Sequence, residues 1–313
     1  MLLALAAIAL LALVPASAAA DGLPGTGVVS SPVSAPGGDV EYVAKSAKRD
    51  TVLREQRLNL GPVLRTLDLR GRYSVPAVAY DGSPSGLSAD GRTLVLINPR
   101  KRWPRKHTTF AVVDARRMEL RRHIRLRGDF SFDAISPDGQ IAYFIEYLSP
   151  NDATAYAVRA YDMRARRLFQ EPVVDPSEPD EDMSGFPMTR AMGLDGRWAY
   201  TLYDGSEHPF IHALDTERRE AVCIDMDMLA GRSNGIGDLE LRPSDGRLDV
   251  LAGTQVLASV DITTHELIPR RAAARRPAPS DEAGFPWLVI AGPTAALMLL
   301  ATVGRRRVDA SVP

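Results

Sequence analysis

Four times along the chain an Asp-Gly pair is followed, after one intervening residue, by a run of apolar, branched and aromatic residues. The pairs are Asp90-Gly91, Asp138-Gly139, Asp195-Gly196 and Asp245-Gly246, and the runs are Thr93 to Ile97, Ile141 to Ile145, Trp198 to Leu202 and Leu248 to Leu251. Aspartate bonds its own backbone two residues on and glycine accepts a positive φ, so each pair predicts a hairpin turn feeding a strand. A second apolar run ending in aspartate follows in every unit: Phe110 to Asp114, Val158 to Asp162, Ile211 to Asp215 and Leu257 to Asp261. In the first three units a further strand is predicted, at Arg122 to Leu126, Leu168 to Val174 and Glu220 to Ile224. The Asp-to-Asp spacings are 48, 57 and 50 residues.

Units of about 50 residues with about four antiparallel strands each predict a β-propeller, in which no blade can bury both faces alone. A β-sandwich would not explain two markers recurring in the same order. Val40 to Leu69 carries weaker strand signals and is expected to form a fifth, incomplete blade. The expected fold is all-β, a propeller of about five four-stranded blades over residues 40–269. The S-x-D-G-x strand starts and the strands ending in aspartate resemble the YVTN and WD40-like β-propeller superfamily, as found in exported bacterial proteins. The resemblance implies the fold; members include scaffolds, lactonases and quinone-dependent dehydrogenases. No catalytic motif of those enzymes matches here, so the resemblance assigns no catalytic residue.

The flanks read differently. Residues 1–20 are a small-residue apolar run ending in Ala18-Ala19-Ala20, which reads as a signal peptide although no basic residue precedes it. Residues 21–39, rich in Gly, Pro and Ser, are expected to be a flexible leader, and residues 270–284 a linker. Phe285 to Val303 holds no charge and is followed by Arg305-Arg306-Arg307. As a helix it spans roughly 28 Å, enough for a bilayer. The arginines place residues 304–313 in the cytosol and the body outside.

Composition narrows the chemistry. The chain has 313 residues, 45% apolar, 25% charged, with a formal net charge of −1. Disorder and collagen are excluded, and nothing pulls the whole protein toward nucleic acid. One cysteine, Cys223, excludes an intramolecular disulfide and a cysteine-rich zinc site. Lysine occurs only at Lys45, Lys48, Lys101 and Lys106, so arginine supplies the remaining cations, as in a high-GC bacterial genome.

His208 and His212, four residues apart in a strand, would lie about 13 Å apart, too far for one metal. Cys223 sits in an apolar run and is expected to be a buried strand thiol. From Arg100 to Arg127 eleven basic residues stand against Asp114 and Glu119. They form either a solvated blade edge or, with Trp103, a contact for an anionic polymer or headgroup. The acidic run from Glu171 to Asp182 is expected to be a long solvated loop, without the spacing of an EF-hand.

Aligning the units on their turns puts Ser85, Asp133, Arg190 and Glu240 at one register, five residues before each turn aspartate. The strand entering this turn is innermost in a propeller, so the four are expected to ring the axis. They would form a ligand-binding ring or structural ion pairs. The reading that follows is a membrane-tethered, monomeric, extracytoplasmic propeller that binds an envelope protein or anionic polymer, with no nucleic acid, cofactor, metal or catalytic residue. The alternative is an enzyme with an axial active site, such as a lactonase-like hydrolase or dehydrogenase.

Overall fold

A computed structural model describes residues 31–47, 49–179, 183–205, 208–232 and 235–268. The signal peptide, most of the leader, the linker, the membrane segment and the cytosolic tail expected from the sequence lie outside the described residues. Among the described residues no helix is long and apolar enough to cross a membrane. One 3-10 turn, Asp227–Leu229, interrupts eighteen strands.

The strands form five antiparallel sheets in chain order. Sheet 1 holds β1 (Val33–Ser34), β2 (Val40–Ala47), β3 (Asp50–Arg57) and β4 (Val63–Arg70). Sheet 2 holds β5 (Thr93–Ile97), β6 (His107–Asp114) and β7 (Glu119–Arg127). Sheet 3 holds β8 (Phe130–Ile135), β9 (Ile141–Tyr147), β10 (Tyr156–Asp162) and β11 (Arg167–Leu168). Sheet 4 holds β12 (Pro187–Met192), β13 (Trp198–Tyr203), β14 (Phe210–Asp215) and β15 (Glu220–Asp225); sheet 5 holds β16 (Leu239–Ser244), β17 (Arg247–Ala252) and β18 (Gln255–Asp261).

Three details differ from expectation. The segment before the first Asp-Gly turn is a complete four-stranded sheet. The strand expected over Leu168 to Val174 shrinks to Arg167–Leu168 plus one bridge, Val173 to Val158. Sheets 2 and 5 have three strands each. In sheet 2 the inner strand is reduced to the bridges Ser74 to Ile97 and Leu87 to Leu94, because the residues between fold into a hairpin whose tip, Tyr80 and Asp81, bonds sheet 4.

Four apolar clusters join the sheets in sequence. One joins sheets 1 and 2 around Leu53, Leu94 and Val113; the next joins sheets 2 and 3 around Phe110, Phe132 and Phe144. A third joins sheets 3 and 4 around Tyr143, Tyr203 and Leu214, and a fourth joins sheets 4 and 5 around Leu202, Leu241 and Val250. The rings of Phe110 and Phe144 stack at 4.4 Å, a contact worth about 1 kcal/mol beyond the area it buries. Sheets 2 to 4 pack like propeller blades, each using the same alternate positions toward its predecessor. Sheet 5 does not. Counted from its Asp-Gly turn, Glu240 and Leu251 match Arg190 and Thr201, yet sheet 5 meets sheet 4 through the intervening Leu239, Leu241, Leu248 and Val250.

Both sequence markers have a local cause. Gly91, Gly139, Gly196 and Gly246 have φ of 69°, 71°, 71° and 75°. In the first three, the aspartate Oδ1 accepts the N–H two residues on, at 2.9 Å each. Ser88 and Ser136, both buried, donate to that aspartate and accept the N–H of the next strand. The strand-ending aspartates cap a second turn: Asp114, Asp162, Asp215 and Asp261 each accept N–H groups two or three residues on. Four residues after each lies a residue of positive φ, namely Met118, Arg166, Arg219 and His265. The first residue of each outer turn donates to the residue ending the inner turn, so all these turns share one end of the molecule.

A β-carbon on Gly139 would lie 2.5 Å from Thr93 Oγ1, and its φ is left-handed. Gly139→Val is therefore expected to cost on the order of 1 to 3 kcal/mol or more, whereas exposed Arg102→Ala should stay within about 0.5 kcal/mol. Urea denaturation of the two variants checks this; equal losses would contradict the assigned turn.

Candidate functional site

A line of polar residues runs through the joint between sheets 3 and 4. Arg190, Thr201, His212 and Cys223 are successive cross-strand partners on β12 to β15, a line running across sheet 4 on its face toward sheet 3. At its inner end stands Asp133. The register of β8 against β9 slips between Phe132 and Ala134, and this bulge turns Asp133 out of the ladder toward Arg190.

Arg190 is held on three sides. Its guanidinium pairs with Asp133 Oδ1, donates to the Asp133 carbonyl at 3.0 Å, and donates from Nε to Thr201 Oγ1 at 2.6 Å. Both side chains are 4% exposed. Asp133 Oδ2 and His212 Nε2 are buried without a partner among the described residues. Burial pushes the His212 pKa down to about 4, so the ring is neutral at physiological pH. Asp133 also borders a cavity of about 20 Å³ with Tyr147, Tyr156 and Tyr203, room for one water and no substrate. Burial pushes all three phenols up, so none is a base near neutrality.

At the outer end of the line, Asp175 Oδ2 accepts the Cys223 N–H at 2.8 Å, and Oδ1 accepts the N–H and hydroxyl of Ser177. Burial opposes ionisation of Asp175, but these bonds outweigh it and hold its pKa below the usual range. Asp175, Glu178 and Cys223 bring one donor atom each within 4.8 Å of the others. Both Asp175 oxygens are already engaged by the chain. Cys223 is half-buried instead of buried, because β15 is the outer strand of its sheet.

The register residues therefore separate. Asp133 and Arg190 meet. Ser85 lies on the returning half of segment 74–87, where its N–H bonds the Pro76 carbonyl. Glu240 is exposed beside Arg242 at 3.2 Å, because the apolar alternation of β16 turns Leu239 and Leu241 inward. The basic stretch also divides. Arg100 and Arg105 are buried against Asp129, with Arg100 5.0 Å above the Trp103 ring, while Arg121, Arg125 and Arg127 are exposed on the edge strand β7. His208 precedes β14 and bonds Asp225 at 2.8 Å; His212 is within it.

Sequence reasoning missed segment 74–87. Tyr80 and Asp81 donate backbone N–H groups to the carbonyls of Pro187 and Met188, so this hairpin crosses from sheet 2 to the inner strand of sheet 4. Its signals were Pro76, Pro84 and a further Asp-Gly pair, Asp81-Gly82, in which Asp81 Oδ1 accepts the Ser83 N–H at 2.8 Å and Gly82 has a φ of 81°. At the turn end the chain leaves a cleft of about 490 Å³ lined from sheets 1 to 4 by Val33, Ala35, Ser85, Leu87, Ile135 and Met192 among others. Leu194, 69% exposed, stands in it.

No family model matches the chain, and no curated protein matches it. Among solved structures, the Cps50 (Swd1) β-propeller domain of Myceliophteria thermophila is 14% identical, TM-score 0.45, covering 79% of this chain and 67% of that one. The putative TolB of Agrobacterium tumefaciens is 12% identical, TM-score 0.43, covering 76% and 79%. The hydrazine synthase of Kuenenia stuttgartiensis is 21% identical, TM-score 0.37, covering 58% of this chain and 46% of that one. At these identities no function passes to this chain.

Asp133→Asn leaves a buried guanidinium without its counter-charge and is expected to cost roughly 3 kcal/mol or more. His212 predicts a pH dependence. The unfolded ring takes up a proton below pH 6.5 and the folded ring only below about 4, so stability should fall as pH drops through that window. At about 1.4 kcal/mol per unit the loss approaches roughly 3 kcal/mol. His265, also lowered by burial, adds in the same direction. Urea midpoints from pH 7 to 4 should slope in the parent and flatten in His212→Gln; parallel slopes would exclude His212 as the cause.

Proposed function

We propose that this protein is a membrane-tethered extracytoplasmic binding module whose turn-end cleft receives an apolar segment of an envelope protein. The observation that carries the reading is where open space lies relative to charge. Asp133 and Arg190 neutralise each other beside a cavity of about 20 Å³, whereas the cleft of about 490 Å³ presents Val33, Leu87, Ile135, Met192 and Leu194 among small and polar residues, with Asp195 the one charged group in its wall. Burying the apolar part of that surface yields about 25 cal/mol per Å². An axial enzyme would need Asp133 within reach of substrate, and Asp133 is 3% exposed.

Tethering is supported by the uncharged run Phe285 to Val303 and by Arg305, Arg306 and Arg307 after it. With only the tail cytosolic, protease added to intact spheroplasts should degrade the body; its protection would overturn the topology.

The cleft is tested with a displayed library of random hexapeptides selected against the full chain. Selected peptides should be apolar and should bind Leu194→Asp at least tenfold more weakly, with Tm unchanged because Leu194 is exposed. Equal affinity for both proteins would place the binding elsewhere.

A further inference from the structure

The outer turn of sheet 1 differs from all the others. Where sheets 2 to 5 have an aspartate cap, residues 58–64 read Leu-Asn-Leu-Gly-Pro-Val-Leu. Leu58, Leu60, Val63 and Leu64 are exposed, Leu60 by 72%. Asn59 and Leu60 both have a φ of 58°, a region that asparagine tolerates and leucine rarely occupies. The turn is nevertheless tightly built. Glu41, itself buried, accepts the Leu60 N–H at 3.0 Å and the Gln56 amide at 2.7 Å. Gly61 donates to the Arg57 carbonyl, and a β-carbon on it would lie 2.7 Å from the Arg57 β-carbon. A buried carboxylate is thus spent on holding a strained leucine in water.

The surroundings are cationic. Arg57 is exposed on the same turn, and Arg65 donates to the Arg116 carbonyl at 2.6 Å, which puts the outer turn of sheet 2 alongside. Arg116 and Arg117 are exposed there, and Arg164, Arg166 and Arg167 continue the series on sheet 3. Arg65 pairs with Glu55, whereas among the described residues Arg57, Arg116, Arg117, Arg164, Arg166 and Arg167 form no ion pair. Aspartates 90, 138, 195 and 245 of the inner turns lie at the same end, the first three with one oxygen each bonded to the backbone, and Arg116 donates to the Asp90 carbonyl at 3.2 Å.

We propose that the hairpin Arg57–Leu64 docks on an anionic lipid surface, Leu60 entering the headgroup region and Arg57, Arg116 and Arg117 contacting lipid phosphates. A soluble polyanion offers nothing to four exposed apolar side chains, whereas a bilayer interface meets both the apolar and the cationic component. The docking is independent of the C-terminal span proposed above.

The full chain, Leu58→Cys with Cys223→Ser and an NBD fluorophore at position 58, is placed in nanodiscs of phosphatidylcholine with or without phosphatidylglycerol. The label should shift to the blue and be quenched by doxyl-lipid in anionic discs only. The effect should fall at least fivefold with Leu60→Asn, which relieves the backbone and so holds or raises Tm, and with Arg116→Gln plus Arg117→Gln. A label on Asp152→Cys should not respond. Full incorporation into discs without quenching would overturn the docking while leaving the tether intact; quenching that persists after deletion of residues 285–303 would support docking and count against the tether as its cause. A blue shift produced by dextran sulfate alone, without lipid, would overturn the lipid assignment in favour of a soluble polyanion.

Discussion

Apolar residues on both faces of a sheet are the constraint on which this molecule depends. The strands β5, β9 and β13 are buried on both sides over most of their length, so sheets 2, 3 and 4 each require two neighbours. A stack of such sheets must then be ended. Sheet 1 ends it with an outer strand exposed along nearly its whole length. Sheet 5 turns Leu239, Leu241, Leu248 and Val250 toward sheet 4 and carries Glu240, Arg242 and Asp249 at the alternate positions, where Leu251 is also buried. The face it presents to sheet 4 follows from that alternation, and the inherited turn position does not override it. Terminal units of repeat proteins meet the same requirement with a polar outer face.

Within the apolar stack the line from Asp133 to Asp175 is a polar seam between two sheets. A buried ion pair gives little net stability over well-packed apolar residues, but breaking one partner is costly. Its effect is selective. The guanidinium of Arg190 is satisfied only when the bulged Asp133 and Thr201 are both in place, which restricts the relative position of sheets 3 and 4 more narrowly than contacts among Tyr143, Val158 and Leu214 would. His212, neutral through burial, sits in the same line without adding a charge that would need a partner.

The sequence shows the parts of this fold whose chemistry is local. Asp-Gly turns and strand-ending aspartates can be read because the side chain acts on its own backbone two or three residues away. Sheet 1 was underestimated because its first turn, Pro36-Gly37-Gly38, lacks aspartate. Segment 74–87 was missed because its partners, Pro187 and Met188, lie more than a hundred residues on and are engaged through backbone groups that leave no residue preference. The Asp133–Arg190 pair was visible as register, since both lie five residues before a turn. Glu240 shares that register and still falls elsewhere, because register fixes position along a strand while burial decides which face turns inward.

The capped outer turns concentrate their requirements in two positions, the aspartate and the residue of positive φ four places later. Of the residues between, the first is buried in sheets 2 to 4 as Ala115, Met163 and Thr216, whereas the next two contribute mainly backbone N–H groups and carry exposed side chains. Sheets 2 and 3 place arginines there, sheet 4 places Glu217 beside Arg218, and sheet 5 places two threonines. Sheet 1 abandons the cap altogether and supplies the missing acceptor from Glu41 on a neighbouring strand. Because an aspartate at the end of β3 would restore the shared turn without that support, folding alone does not account for the exposed leucines, and their explanation has to be sought at the surface they face.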